Sequence, residues 1–286
     1  MIKSPLRYPG GKSRAIDWLS SLIPEDFEEY REAFIGGGSM YIYLKQRSPD
    51  RRYWINDLYF ELYNFWQVSQ KNLDSLINQI NIWRSQFSNG SELFRFLKLN
   101  LYRFNDIEKA GAFFIFNRIT FSGTTQAGGY SENAFKERFT ESSIDRLKSL
   151  KNILIDTKIT NLDYQKVIET PGKNVFLFLD PPYYSATESG LYGKSDKMRN
   201  THKMFDHYRF ANVMKKCEHK FLITYDDSNL IRKLFSFANI TSWNLTYGMK
   251  NITDRSNQIG RELAITNYSI EATKDIQLSI DDAWAI

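Results

Sequence analysis

Asp180, Pro181, Pro182, Tyr183 and Tyr184 follow directly on the apolar run FLFL (176–179), so a carboxylate, a stiff corner and two aromatic faces arrive together. Proline fixes φ and has no N–H, which stiffens the turn and keeps its carbonyls out of a local ladder. Asp180 and the Pro181 carbonyl are therefore two preset acceptors. Two adjacent acceptors match an exocyclic amino group, and a neighbouring tyrosine offers a face for a flat base. An amino nitrogen held this way directs its lone pair at an electrophile, which helps a weak nucleophile without a covalent enzyme intermediate.

A second group lies nearer the N-terminus. In FIGGGS (34–39), Gly36 and Gly38 permit a tight turn and a close approach of ligand to backbone. The dinucleotide pattern G-x-G-x-x-G fails because Tyr41 takes its third glycine position, which disfavours a pyrophosphate-bearing cofactor. Asp57 follows nineteen residues after Gly38, a spacing at which an acid accepts hydrogen bonds from ribose hydroxyls. Turn and acid together indicate a nucleoside cofactor. LRYPGGKS (6–13) ends like a phosphate loop, but Leu6 stands where that motif needs glycine. What remains is a Pro-Gly turn that could hold the Tyr8 ring and the Lys12 charge over a pocket, the latter for a carboxylate. Taken alone, this stretch also reads as a solvated N-terminal loop.

These residues need a scaffold. REAFIGG (31–37), RYWIND (52–57), KNILID (151–156), NVFLFLD (174–180) and KFLITYDD (220–227) read as buried parallel strands. SMYIYLKQR (39–47) and DHYRFANVMKKCE (206–218) carry helical patterns between them, giving the alternation of a doubly wound α/β sheet. Ligands of such sheets collect beyond the carboxyl ends of the strands, where the acids and glycines fall. Residues 67–145 break the rhythm, with helical patterns in LDSLINQINIWRSQF and FRFLKLNLYRF and a loop or hairpin at SGTTQAGGYSENAF (122–135). The expected organisation is a core of 1–66 and 146–286 with a mostly helical insertion at 67–145.

Composition narrows the classes further. At 286 residues and 42% hydrophobic, the chain can bury a substantial core. It lacks an apolar run near the roughly 20 residues that span a bilayer, and its start lacks a secretory signal, so a cytoplasmic protein is expected. A single cysteine, Cys217, excludes an internal disulfide framework, and three scattered histidines give no zinc pattern, so no metal is expected. The net charge of +5 and the 15% aromatic content suit a polyanion whose bases can be stacked, although aromatic core packing would look the same in composition.

LRYPGGK, FIGGGS and DPPY, in the order Lys-bearing turn, glycine turn, insertion and then DPPY, resemble the Dam-type N6-adenine DNA methyltransferases of the alpha motif order. The likeness covers nearly the whole chain and extends to NRITFSG (117–123) and RELAITNY (261–268). It implies a Rossmann-like methyltransferase sheet with a helical target-recognition insertion, S-adenosyl-L-methionine as methyl donor, and adenine in double-stranded DNA as acceptor. The resemblance puts Tyr8, Lys12, Asp57, Asp163 and Asp180 at cofactor positions, with the turn Phe34, Gly36, Gly38 and Ser39 lining the same pocket. Asp180, Pro181 and Tyr183 take the catalytic role, and Tyr183 or Tyr184 stacks on a base flipped from the duplex. Asn117, Arg118, Phe121, Ser122 and Gln126 fall in the DNA-contacting region, where an aromatic can wedge between bases. The basic loop 191–203 is a second DNA candidate, suited to phosphates. Members specific for GATC have asparagine in place of Ser122 and arginine in place of Gln126, so that site is not assigned. An N4-cytosine methyltransferase is the alternative, disfavoured because its motif more often begins with serine. A C5-cytosine enzyme would need a thiol beside a proline, which Cys217 is not. A monomer is expected, and a cognate restriction endonuclease is a conceivable partner.

Overall fold

The computed structural model describes residues 1–8, 12–121, 128–185, 205–246 and 259–270. Seven strands, β1 (Glu29–Glu32), β2 (Arg52–Asn56), β3 (Thr157–Thr160), β4 (Val175–Leu179), β5 (Lys220–Asp226), β6 (Asn239–Thr246) and β7 (Ile259–Thr266), form one sheet. Their order is β3-β2-β1-β4-β5-β7-β6. β1 pairs in parallel with β2 and β4, β2 with β3, and β4 with β5, while β7 runs antiparallel between β5 and β6. From β1 the chain builds outward to β3, then returns to lay β4 on the other side of β1. The direction of winding thus switches between β1 and β4, and a crevice opens above their carboxyl ends.

The continuous apolar run of β4 follows from its position. All five of its residues are buried, because helices cover both faces of a central parallel strand. Side chains alternate along the strand: Phe176 and Phe178 enter one core with Leu62 and Phe65, whereas Val175, Leu177 and Leu179 enter the other with Phe210 and Met214.

Two strand expectations are corrected. KNILID (151–156) is not a strand: Leu150–Ile153 is a short helix, and β3 begins at Thr157. Leu150, Ile153 and Leu154 share the core at helical spacing, and Asp156, at φ 55°, turns the chain into a strand whose sequence TKIT has no apolar run to announce it. β1 ends at Glu32, earlier than REAFIGG suggests, and the chain leaves the sheet so that Ile35 N–H donates to the Asn56 carbonyl at 2.9 Å.

Beyond β2 lie the helices Phe60–Lys71, Leu73–Gln86, Gly90–Asn100, Asp106–Ile119, Glu132–Arg138 and Glu141–Lys148. The boundary expected between residues 66 and 67 falls inside the first of these. Asp106–Ile119 is central, buried from Ala110 to Ile119 and started by a reciprocal cap between Asn105 and Glu108. Phe65, Trp83, Leu93 and Phe114 of this layer share one core with Tyr30 and Phe176 of the sheet. At the expected loop or hairpin 122–135, Tyr130 bridges back to Thr120 in antiparallel fashion, and residues 122–127 lie outside the described residues. Among the described residues no helix is long and apolar enough to cross a membrane.

Asn56 locks three strand ends together. It is 1% exposed, its amide donates to the carbonyls of Ala33 (3.0 Å) and Leu162 (2.9 Å), and its oxygen accepts from Thr160 Oγ1 and Leu162 N–H, both at 2.8 Å. Asn56→Ala should destabilise the protein by about 1–3 kcal/mol, because buried backbone groups lose their partners. Urea unfolding measures this, and an unchanged midpoint would refute the role.

Candidate active site

The crevice above β1, β2 and β4 holds a cavity of about 460 Å³. Tyr8, Lys12, Phe34, Gly36, Gly38, Ser39, Asp57, Asp163, Asp180, Pro181 and Tyr183 all line it. Every cofactor and catalytic residue expected from the sequence is thus brought to one place.

The glycine turn is dictated by its neighbours. Gly36 and Gly38 have φ of 46° and 67°, conformations strained for any side chain. A Cβ on Gly36 would stand 3.1 Å from the Tyr8 ring, and one on Gly38 would stand 3.0 Å from Trp66. Gly38 then caps the helix Ser39–Arg47. Asp57 grips the turn from the end of β2, accepting from Gly36 N–H at 3.2 Å and from Tyr59 N–H at 3.0 Å. Burial pushes its carboxyl up to about 6, against the opposing effect of these backbone bonds.

At the end of β4, Asp180 is held by two partners. Lys12 Nζ lies 2.9 Å from Oδ1 and 3.1 Å from Oδ2, and Thr224 Oγ1 of β5 donates to Oδ1 at 2.6 Å. The Lys12 side chain is buried, and a dry ammonium requires a close carboxylate. Expected to offer its charge to a ligand carboxylate, Lys12 here pairs with Asp180. Its ammonium also stands 4.8 Å above the Tyr183 ring. The next turn is pinned by Asp226, which accepts from the N–H groups of Tyr184 (2.9 Å) and Ser185 (3.0 Å), and the Tyr184 ring meets His207 edge-on.

Asp163 sits on the opposite rim. It caps the helix Tyr164–Glu169 through Gln165 N–H and takes a two-pronged contact from Arg209 at 2.9 and 3.1 Å. Phe34 packs against Tyr164, Phe205 and Phe210.

Glu32 is a residue the sequence reading missed. It lines the cavity at the end of β1, is buried, and accepts from Tyr30 Oη at 2.6 Å. Burial drives its carboxyl well above the usual range. The available signal was an acid placed just before the glycine turn.

The expected DNA residues divide. Asn117 is fully buried: its side chain accepts from Arg7 N–H (2.9 Å) and donates to the Arg7 carbonyl (2.6 Å). This is a correction to its expected place on a contact surface, and the cause is the packing of the central helix against the N-terminal segment. Arg118 is 4% exposed, yet among the described residues its Nε and Nη2 have no hydrogen-bond partner, and neither does Nη1 of Arg7. Burial, reinforced by Arg146, Arg7 and Arg138, lowers the Arg118 guanidinium to about 10. Phe121 is 62% exposed. Ser122, Gln126 and the loop 191–203 lie outside the described residues.

A sheet of this order with β7 alone reversed, and a cavity joining a glycine turn to an Asp-Pro-Pro-Tyr corner, define a Rossmann-like methyltransferase. The family model for the D12 class N6 adenine-specific DNA methyltransferases matches residues 8–249, and the chain belongs to that family. It is 24% identical to the type II methyltransferase M1.LlaDCHI of Lactococcus lactis subsp. cremoris, over 92% of this chain and 94% of the relative. Identity is 25% to the type II methyltransferase M.MjaIII of Methanocaldococcus jannaschii, covering 64% and 69%, and 23% to a DNA adenine methylase of Haemophilus influenzae, covering 82% of each. The family is the adenine class, in agreement with Asp180 at the head of the motif and against the N4-cytosine alternative.

Lys12→Met removes the ammonium between Asp180 and Glu262 and should lower stability by about 3 kcal/mol. The double change with Asp180→Asn should cost less than the two single losses added together. Urea unfolding of the four proteins checks this, and strict additivity would show that the pair is not coupled.

Proposed function

We propose that the cavity binds S-adenosyl-L-methionine and that Asp180, Pro181 and Tyr183 present N6 of an adenine, flipped out of double-stranded DNA, to it. The observation that carries this reading is the shared lining: the Asp180 corner opens on the same cavity as the glycine turn and Asp57. The cavity has the size of a nucleoside-derivative site, and the turn brings bare backbone to its wall. Bound there, S-adenosyl-L-methionine supplies an electrophilic sulfonium methyl group.

The residues divide the work. Asp57 accepts from ribose hydroxyls, and Phe34, Gly36, Gly38 and Ser39 shape the wall around the nucleoside. Asp163 faces the cofactor base, in competition with Arg209 for its oxygens. Tyr8 packs over the turn, and Lys12 neutralises Asp180. Because both Asp180 oxygens already accept from Lys12 or Thr224, Asp180 serves as a fixed acceptor for an N6–H group and not as a mobile base. The Pro181 carbonyl is the second acceptor. Tyr183 or Tyr184 stacks on the flipped base and offsets part of the few kcal/mol that extrusion costs.

Residues 67–145 are proposed as the target-recognition part. Phe121 has the exposure that a duplex wedge requires. The Arg118 and Arg7 guanidiniums, whose buried nitrogens lack acceptors among the described residues, are the proposed partners of a backbone phosphate. Asn117 supports them by holding Arg7 in place. Ser122 and Gln126 stay candidates on motif position, and Gln126 suits a bidentate grip on adenine. The naming of several relatives as type II methyltransferases supports a cognate restriction endonuclease as partner.

Incubation with tritiated S-adenosyl-L-methionine and DNA, RNA or protein acceptors tests the reading. Label should accumulate only in N6-methyladenine of DNA, and Asp180→Ala should lower the rate about 100-fold or more while cofactor binding remains measurable. Label in RNA or protein, or an unimpaired variant, would reject it. The Asp57 carboxyl adds a pH test. Ribose hydroxyls donate to its charged form, so affinity should rise as pH passes upward through about 6. Calorimetry should find cofactor binding about tenfold weaker at pH 5 than at pH 7.5, and Asp57→Asn should flatten the profile. A flat wild-type profile would remove Asp57 from the cofactor site.

A further inference from the structure

We propose that Glu262 is a positioning residue: it fixes the ring plane of Tyr183 and, through that ring, the stacked target base. The inference rests on the reading of Tyr183 given above. Glu262 lies on β7, opposite Asp226 of β5 and Trp243 of β6, and is 0% exposed. A carboxylate in the middle of a sheet is unfavourable unless it is hydrogen-bonded or paired. Leu263, Ala264 and Ile265, which follow it on the strand, are apolar core residues, and the adjacent Arg261 is exposed on the other face of the sheet. The carboxylate therefore needs partners from outside its strand, and it meets two residues of the active site. Tyr183 Oη donates to Oε2 at 2.8 Å, and Lys12 Nζ stands 3.9 Å from the same oxygen.

The consequence for Tyr183 is geometric. The proline corner fixes the backbone that carries the ring, but the ring plane still depends on side-chain torsions. A hydrogen bond at the far end of the ring removes that freedom, and Tyr225, stacked at 6.0 Å and 29°, packs against the ring. A phenylalanine could stack on a base equally well, yet nothing would anchor its tip. Electrostatics act in the same direction. A phenol that donates to a carboxylate has a more electron-rich ring, and such a ring favours positive charge over it, as the position of Lys12 illustrates. The purine becomes cationic as N6 is alkylated, so the same ring favours the reacting base more than the resting one.

Single-turnover methylation, fluorescence of 2-aminopurine at the target position and equilibrium binding of S-adenosyl-L-methionine, measured on wild type, Glu262→Ala, Glu262→Gln, Tyr183→Phe and the Glu262→Ala/Tyr183→Phe double variant, test the proposal. Glu262→Ala should slow transfer about 10- to 100-fold and alter the 2-aminopurine signal, with cofactor affinity within about twofold. Glu262→Gln keeps an acceptor for Tyr183 and should recover most of the rate. The double variant should be no slower than Tyr183→Phe alone, because both changes break one contact. Should Glu262→Ala fail to fold, Glu262→Leu, matched to its apolar neighbours, takes its place. Multiplicative losses, a glutamine variant as slow as alanine, or wild-type rates in Glu262→Ala would overturn the Glu262 role alone. A wild-type protein that methylates no DNA would overturn this role and the functional reading together.

Discussion

The ion pair between Lys12 and Asp180 joins parts of the chain that are far apart in sequence. Lys12 comes from the N-terminal turn, Asp180 from the end of β4, Thr224 from β5 and Glu262 from β7. An ammonium buried this deeply is tolerated only while carboxylates surround it, so the pair fixes how the N-terminal segment closes over the sheet. Tyr8 lies on the glycine turn as part of that closure. The wall of the cavity and the Asp-Pro-Pro-Tyr corner are in this sense consequences of one contact.

Around the pair, rigidity comes from ordinary backbone satisfaction. Asn56 ties the ends of β1, β2 and β3, Asp57 holds the turn at Gly36 N–H, and Asp226 holds the turn after Pro182. Each is a short polar side chain at the carboxyl end of a strand or next to it, where unpaired backbone groups gather. Groups that complete the scaffold therefore stand beside groups that face the ligand. Asp57 both holds the turn and lines the cavity, and burial draws its carboxyl upward despite its backbone N–H partners.

The helical layer after β2 shares its core with the sheet and reaches back to the N-terminal segment through Asn117 and Arg7. Two arginines are thereby packed together with nitrogens left unpartnered among the described residues, an arrangement at odds with the usual satisfaction of buried polar groups. An anion would supply the missing acceptors, in keeping with the phosphate contact proposed above. The central helix therefore serves the fold along most of its length, and its end carries the arginine proposed above as a phosphate contact.

Much was legible in local sequence because it depends on local physics. The apolar run of β4 marks a strand covered on both faces, the glycines at 36 and 38 mark positive φ, and Pro181 and Pro182 mark a stiff exit. From those signals alone came the cavity wall, the acid at 57 and the acceptor at 180. Other features depended on partners distant in sequence. β3 has no apolar run because its register with β2, and not its own composition, makes it a strand. Asn117 turned inward because its partner is the backbone of Arg7, 110 residues away. Lys12 took Asp180 as its partner only when the N-terminal segment met the end of β4, and Glu262 came beside Lys12 only when β7 was inserted between β5 and β6. The sequence by itself determined which chemical groups exist and which local turns carry them. The tertiary structure decided which charges meet, because burial makes each charge depend on whatever partner the topology brings within a few ångströms.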